Sequence, residues 1–145
     1  MKTTKIGTAL LIFALAFGFE ANAQTAKNQT ELPATAQTFI TNNFAGQTIS
    51  SLNVDKDRKS TEYDVRLSGG TSFEFDDSGN WEEIDGNKTA LPTSVLPKGV
   101  ADHINKSYAG QNVVKIEKNK KKYEVELGDG TELEFDLNGK FLKVD

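Results

Sequence analysis

The chain carries one pattern twice, and that doubling limits what it can fold into. Leu32-Pro33 opens a segment that runs to Asp85, and Leu96-Pro97 opens one that runs to Asp145. A shift of 64 positions lays Ile40 on Ile104, Phe44 on Tyr108 and Ala45-Gly46-Gln47 on Ala109-Gly110-Gln111. A shift of 60 lays YDVRLSGGTSFEFDDSGNWEEID on YEVELGDGTELEFDLNGKFLKVD. The first copy is therefore longer between Gln47 and Tyr63. Two copies of one supersecondary unit pack as neighbours around a shared core, and function belongs to the doubled surface.

Within each copy the hydrophobic period changes. Ala36, Phe39, Ile40 and Phe44 recur at helical spacing after Pro33 and before Gly46; Val100, His103, Ile104 and Tyr108 repeat that face. Alternation follows, through Leu52 and Val54, then Tyr63, Val65 and Leu67, then Phe73 and Phe75, then Trp81 to Ile84, with the counterparts ending at Val144. Each copy reads as a helix followed by four short antiparallel strands. The fold class is α+β: one sheet of about eight strands, with both helices covering its apolar face.

Turn lengths set the register. A three-residue loop at Ser68-Gly69-Gly70 places Val65 opposite Phe73 and Tyr63 opposite Phe75, and Gly128-Asp129-Gly130 does the same for Val125 with Leu133 and Tyr123 with Phe135. The predicted core holds Phe39, Ile40, Phe44, Val65, Phe73 and Phe75 with Ile104, Tyr108, Val125, Leu133 and Phe135. The other face then carries Asp64 opposite Glu74, Glu124 opposite Glu134 and Glu126 opposite Glu132, with Arg66 among them. Like charges directly opposed destabilise a strand pair. Either neighbouring Lys115, Lys140 or Lys143 makes this a solvated mosaic, or it is an acidic recognition patch.

Trp81 and Phe141 have two readings. A four-residue loop from Asp76 to Gly79 sets Trp81 on the open face, whereas a three-residue loop sets it in the core. Ile84, Leu142 and Val144 have the opposite parity and also want the core, so burying both sets requires a bulge. If Ile84, Leu142 and Val144 prevail, Trp81 and Phe141 become exposed aromatics of the kind that anchors protein contacts. The candidate partner-binding residues are thus Asp64, Arg66, Glu74, Trp81, Glu124, Glu126, Glu132, Glu134 and Phe141.

Composition excludes several classes of chemistry. The chain has no Cys and one His, so it offers neither a zinc ligand set nor a nucleophile and base pair. His103 aligns with Phe39 and reads as a half-buried helix residue. Asp76-Asp77-Ser78-Gly79 and Asp136-Leu137-Asn138-Gly139 lack the spaced ligands of a calcium loop and read as hairpin turns. No catalytic residue, metal ligand or cofactor is expected. A net charge of −4 disfavours nucleic acid, and the Lys118 to Lys122 run reads as a solvated hairpin tip.

The chain opens with an export leader: Lys2 and Lys5, an apolar run from Ile6 to Phe19, and Ala21-Asn22-Ala23 as a small-x-small cleavage site. The expected organisation is a leader at 1–23, a polar lead at 24–31, a first copy at 32–85, a linker at 86–95 and a second copy at 96–145. The run is too short to span a bilayer comfortably, and no second apolar segment follows. The expected product is periplasmic or secreted, without a stable membrane anchor.

The leader, the helices LPATAQTFITNNFAG and LPKGVADHINKSYAG, and the paired strand segments together resemble the PepSY-like family of exported Bacteroidetes proteins, described as beta-lactamase-inhibitor-like. The resemblance covers essentially all of Leu32 to Asp145. It implies an architecture similar to an inhibitor built of two helix-plus-sheet units whose concave sheet face grips an enzyme, and an association with peptidase inhibition. It carries no established binding motif onto these residues. The implied function is a non-enzymatic inhibitor or chaperone-like binder of an envelope enzyme, protein or peptide; the alternative is a small-ligand or cation sensor that uses the carboxylate rows.

Overall fold

Two rows of side chains, one on each face of a single sheet, organise the molecule. The computed structural model describes residues 30–145; the expected leader and nearly all of the polar lead lie outside the described residues. In chain order the main elements are α1 (Ala34–Asn43), β1 (Ile49–Lys56), β2 (Thr61–Leu67), β3 (Ser72–Phe75), β4 (Trp81–Asp85), α2 (Lys98–Ser107), β5 (Val113–Lys118), β6 (Lys122–Leu127), β7 (Glu132–Asp136) and β8 (Phe141–Val144). The strands form one eight-stranded antiparallel sheet in sequential order. The architecture is α+β, as the sequence predicts.

Successive cross-strand partners on the covered face are Leu52, Val65, Phe73, Ile84, Ile116, Val125, Leu133 and Val144. This apolar row crosses every strand, so register and burial enforce each other: a one-residue slip anywhere would turn a strand's apolar set to water. Both helices lie over it. Phe39 of α1 meets Phe73 and Phe75 edge-on at 6.3 and 6.2 Å, and His103 of α2 meets Phe135 edge-on at 5.5 Å. Phe75, Ile84, Ile116, Leu133 and Phe135 have no exposed surface. Of the predicted core, Phe39 and Tyr108 are only half-buried, because each sits at the flank of its helix where the cover ends.

The hairpins explain the register. Leu67 N–H donates to Thr71 and Leu127 N–H to Thr131 at the ends of the two three-residue loops. In the next turns Asp76 Oδ1 accepts from the backbone of Ser78 and Asn80, and Asp136 Oδ1 from Asn138 and Lys140. These carboxylates cap their own turns, the ordinary Asx chemistry. Gly139 has φ +81° and lies so close to Gly99 in the first turn of α2 that a Cβ at Gly99 would stand 2.5 Å from the Gly139 carbonyl oxygen. The turn thus seats the helix on the sheet.

Both sheet parities at β4 are accommodated by a bulge. Glu74 faces Glu83 but Phe75 faces Trp81, which leaves Glu82 extra; Glu134 faces Lys143 but Phe135 faces Phe141, which leaves Leu142 extra. Trp81 and Ile84 therefore both lie on the helix side. Leu142 and Val144 do not gain the burial predicted for them: each is 51% exposed, against 0% for Ile84. Leu142 is the extra residue of the bulge, as the exposed Glu82 is in β4; for Val144 the reason is position, since β5 covers the outer flank of β4 and no strand among the described residues covers that of β8.

Candidate functional site

The open face carries the second row. Its successive partners are Asn53, Asp64, Glu74, Glu83, Glu117, Glu124, Glu134 and Lys143. Six of these eight are carboxylates on adjacent strands, and at the usual strand spacing they form a ladder about 24 Å long. A parallel row runs Ser51, Arg66, Ser72, Asp85, Lys115, Glu126 and Glu132, with two hydroxyls and charges of both signs. Among the described residues no helix covers either row.

The two ends of the ladder are compensated differently. In the second half Lys122 pairs with both Glu124 and Glu134, and Lys143 reaches Glu134 at 3.5 Å, so Glu134 is held nearly buried, 8% exposed. Its hydrogen bonds to these two carboxylates push Lys122 well above the usual lysine range. At the seam Lys115 reaches Glu83 at 3.0 Å. Burial works against the charge of Lys115, but the hydrogen bond to Glu83 and the surrounding carboxylates outweigh it and raise its value.

In the first half the place of Lys122 is taken by Glu62. One carboxylate oxygen from each of Glu62, Asp64 and Glu74 lies within 4.8 Å of the others, and none of the three is in an ion pair among the described residues. Burial and then the charges of Glu83, Glu62, Asp64 and Glu117 raise the Glu74 value above the ordinary 4.5. Asp64 accepts one neutral hydrogen bond, from Asn53 at 3.1 Å. Arg66 is near in the next row but makes no ion pair among the described residues. A hollow of about 320 Å³ lined by Asn53, Asp64, Arg66, Glu74 and Glu83 opens here, and one of about 160 Å³ lies over Glu117, Glu124, Glu126 and Glu134.

Of the residues singled out in the sequence, Asp64, Arg66, Glu74, Glu124, Glu126, Glu132 and Glu134 share the open face. Trp81 and Phe141 do not. The bulges turn them to the helix side, where Phe141 stacks on His103 at 4.3 Å and Trp81 leans on Tyr123 at 6.1 Å. Glu62, Glu83, Glu117 and Lys122 complete the ladder and its compensation and were missed. Glu62 follows from extending the β2 and β3 pairing one step beyond Tyr63 and Phe75, away from their loop; Glu83 and Glu117 meet only through the β4 and β5 junction, which no turn length dictates. Three clustered carboxylates suit a hard divalent cation, which takes oxygen ligands.

The family described as "Putative beta-lactamase-inhibitor-like, PepSY-like" matches residues 61–143. A "putative periplasmic protein" from Bacteroides vulgatus is 32% identical, with a TM-score of 0.76 over 81% of this chain and 92% of its own. A second from that organism, of unknown function, is 35% identical, with a TM-score of 0.75 over 80% and 93%. A third, from Bacteroides thetaiotaomicron and described as a "putative calcium-regulated periplasmic protein", is 35% identical, with a TM-score of 0.75 over 81% and 92%. No curated protein is similar enough to count as a match. Among the described residues no helix is long and apolar enough to cross a membrane.

Proposed function

The chain belongs to the PepSY-like family, and from that premise we propose that it is an exported, non-enzymatic binding protein that holds another envelope protein or peptide on the open face of its sheet. The observation that carries this reading is the uncovered ladder from Asp64 to Glu134. A fold that covers one face with both helices and leaves the other lined with opposed carboxylates keeps that face for something cationic. The partner surface this ladder suits carries Lys or Arg. Charge of this kind speeds encounter and sets orientation more than it adds affinity. The relatives described as periplasmic support a periplasmic location, and a secreted one fits the leader equally.

The test is capture from the native envelope. Asp64→Asn with Glu74→Gln and Glu83→Gln removes the charge of the first half of the ladder without adding bulk. That variant is expected to lose the partner, while Asp102→Asn on the exposed helix side keeps it. Equal capture by both overturns the reading.

A second reading is favoured by one specific observation, the triad of Glu62, Asp64 and Glu74. Together with the relative described as calcium-regulated, it supports a divalent cation as a ligand or regulator at this place. Calcium is then expected to raise the melting temperature of the wild-type chain and not that of Glu62→Lys. No shift in the wild type at millimolar calcium removes this reading and leaves the first intact.

A further inference from the structure

The large apolar side chains that stand exposed among the described residues, Leu137, Leu142 and Val144, all lie on β8 or in the turn before it. Leu137 lines a hollow with Trp81 and Lys118, which leaves Leu142 and Val144 as the apolar residues exposed along the strand itself. Among the described residues β8 is an outer strand of the sheet, and such an edge is a ready template for pairing with another strand. The opposite edge is different in kind: along β1, Ser50, Ser51, Asn53 and Asp55 are exposed and Leu52 is half-buried.

The molecule itself displays what a strand does when it docks at this place. β4 is the counterpart of β8 in the first half, and β5 covers its outer flank with three residue pairs: Glu83 with Glu117, Ile84 with Ile116, and Asp85 with Lys115. There Ile84 and Ile116 are both fully buried. Val144 occupies the place of Ile84, opposite Leu133 as Ile84 is opposite Phe73, and on the same side of the sheet. The strand that buries Ile84 reads Lys115-Ile116-Glu117; β8 and the residue after it read Lys143-Val144-Asp145. The edge thus carries both the apolar residue that needs cover and the charge pattern of the strand that supplies it.

We propose that β8 pairs antiparallel with β8 of a second copy about a two-fold axis through Val144. In that register Val144 lies against its own equivalent on the helix side. Lys143 lies opposite the copy's Asp145 on the open face, and Asp145 opposite the copy's Lys143. Two ion pairs then flank one apolar pair, a better set than the β4 and β5 junction, where Glu83 faces Glu117. Lys143 and Asp145 already lie on one face, within ion-pair reach of each other. An axis normal to the sheet keeps all four helices on one side and leaves the carboxylate ladders of both copies uncovered, so the pairing is independent of the function proposed above. The contact is isologous and therefore closed. With three paired residues it belongs among small, transient interfaces.

Sedimentation equilibrium of the chain from Gln24 onward, over concentrations from about 10 µM to 1 mM, tests the proposal. A monomer–dimer equilibrium with a dissociation constant on the order of 100 µM is expected. Val144→Lys sets two ammonium groups against each other on the axis and should weaken association at least tenfold, with an unchanged melting curve for the monomer. Lys143→Asp should weaken association to a similar extent, and adding Asp145→Lys to it should restore dimerisation. A wild-type chain that is monomeric throughout overturns the proposal. So does a dimer indifferent to Val144→Lys, and so does growth beyond the dimer, which would put β1 of another copy on β8.

Discussion

The two halves of the molecule agree on the covered face and disagree on the open one. Phe75 and Phe135 occupy equivalent places, each without exposed surface and each opposite a bulged aromatic. On the open face Glu62 stands where the other half has Lys122. That difference, together with Glu83 standing where the other half has Lys143, leaves carboxylates facing one another in the first half and gives the second internal counterions that hold Glu124 and Glu134. Packing requires both halves to keep the apolar row, because a cavity or a slip costs kilocalories. Surface charge has no such constraint, and the first half retains a repulsion that folding alone does not call for.

The agreement is tested by the largest effect. Phe75→Ala and Phe135→Ala should each destabilise the chain by about 3–5 kcal/mol in denaturant melts, and by similar amounts. A large inequality would break the equivalence of the two cores. A smaller effect sharpens the disagreement. Lys122→Glu places a third carboxylate beside Glu124 and Glu134 and should lower the melting temperature by a few degrees, whereas Glu62→Lys should raise it. If both changes lower it, Glu62 is not under repulsion.

Acid gives the smallest signal. The Glu74 value is raised, first by burial and then by Glu83, so the folded chain binds more protons than the unfolded chain between the ordinary 4.5 and the raised value. Stability should therefore fall as pH rises through that window. Glu74→Gln should flatten the slope. The trend opposes that of Asp129, held down by the Thr131 backbone, and of Asp145, held down by Lys143; their contribution is lost as pH falls below the ordinary 3.8. The two effects are separable along the pH axis.

Local rules made most of the fold legible in the sequence. The three-residue loops at Ser68 and Gly128 fix the β2 and β3 and the β6 and β7 pairings, and these place Asp64 opposite Glu74 and Glu124 opposite Glu134 without further information. The bulges were legible only as a necessity. Burying both Trp81 and Ile84 demanded one, but which aromatic would go where depended on how the helices fill the covered face. The β4 and β5 junction was beyond local reading, because it joins segments separated by a whole helix. Hence Glu83 and Glu117 escaped notice, and with them the continuity of the ladder. Parity alone points Leu142 and Val144 toward the core. Parity tells which face a residue takes, and a neighbouring strand decides whether that face is dry.

Carbodiimide labelling of carboxylates, read by mass spectrometry on the free chain and on the chain captured with its envelope partner, tests the central claim most directly. The account predicts that Asp64, Glu74, Glu83 and Glu117 are protected in the complex while Asp102 on α2 is labelled as in the free chain. Protection of Asp102 with the ladder labelled as before would place the partner on the helices and contradict it.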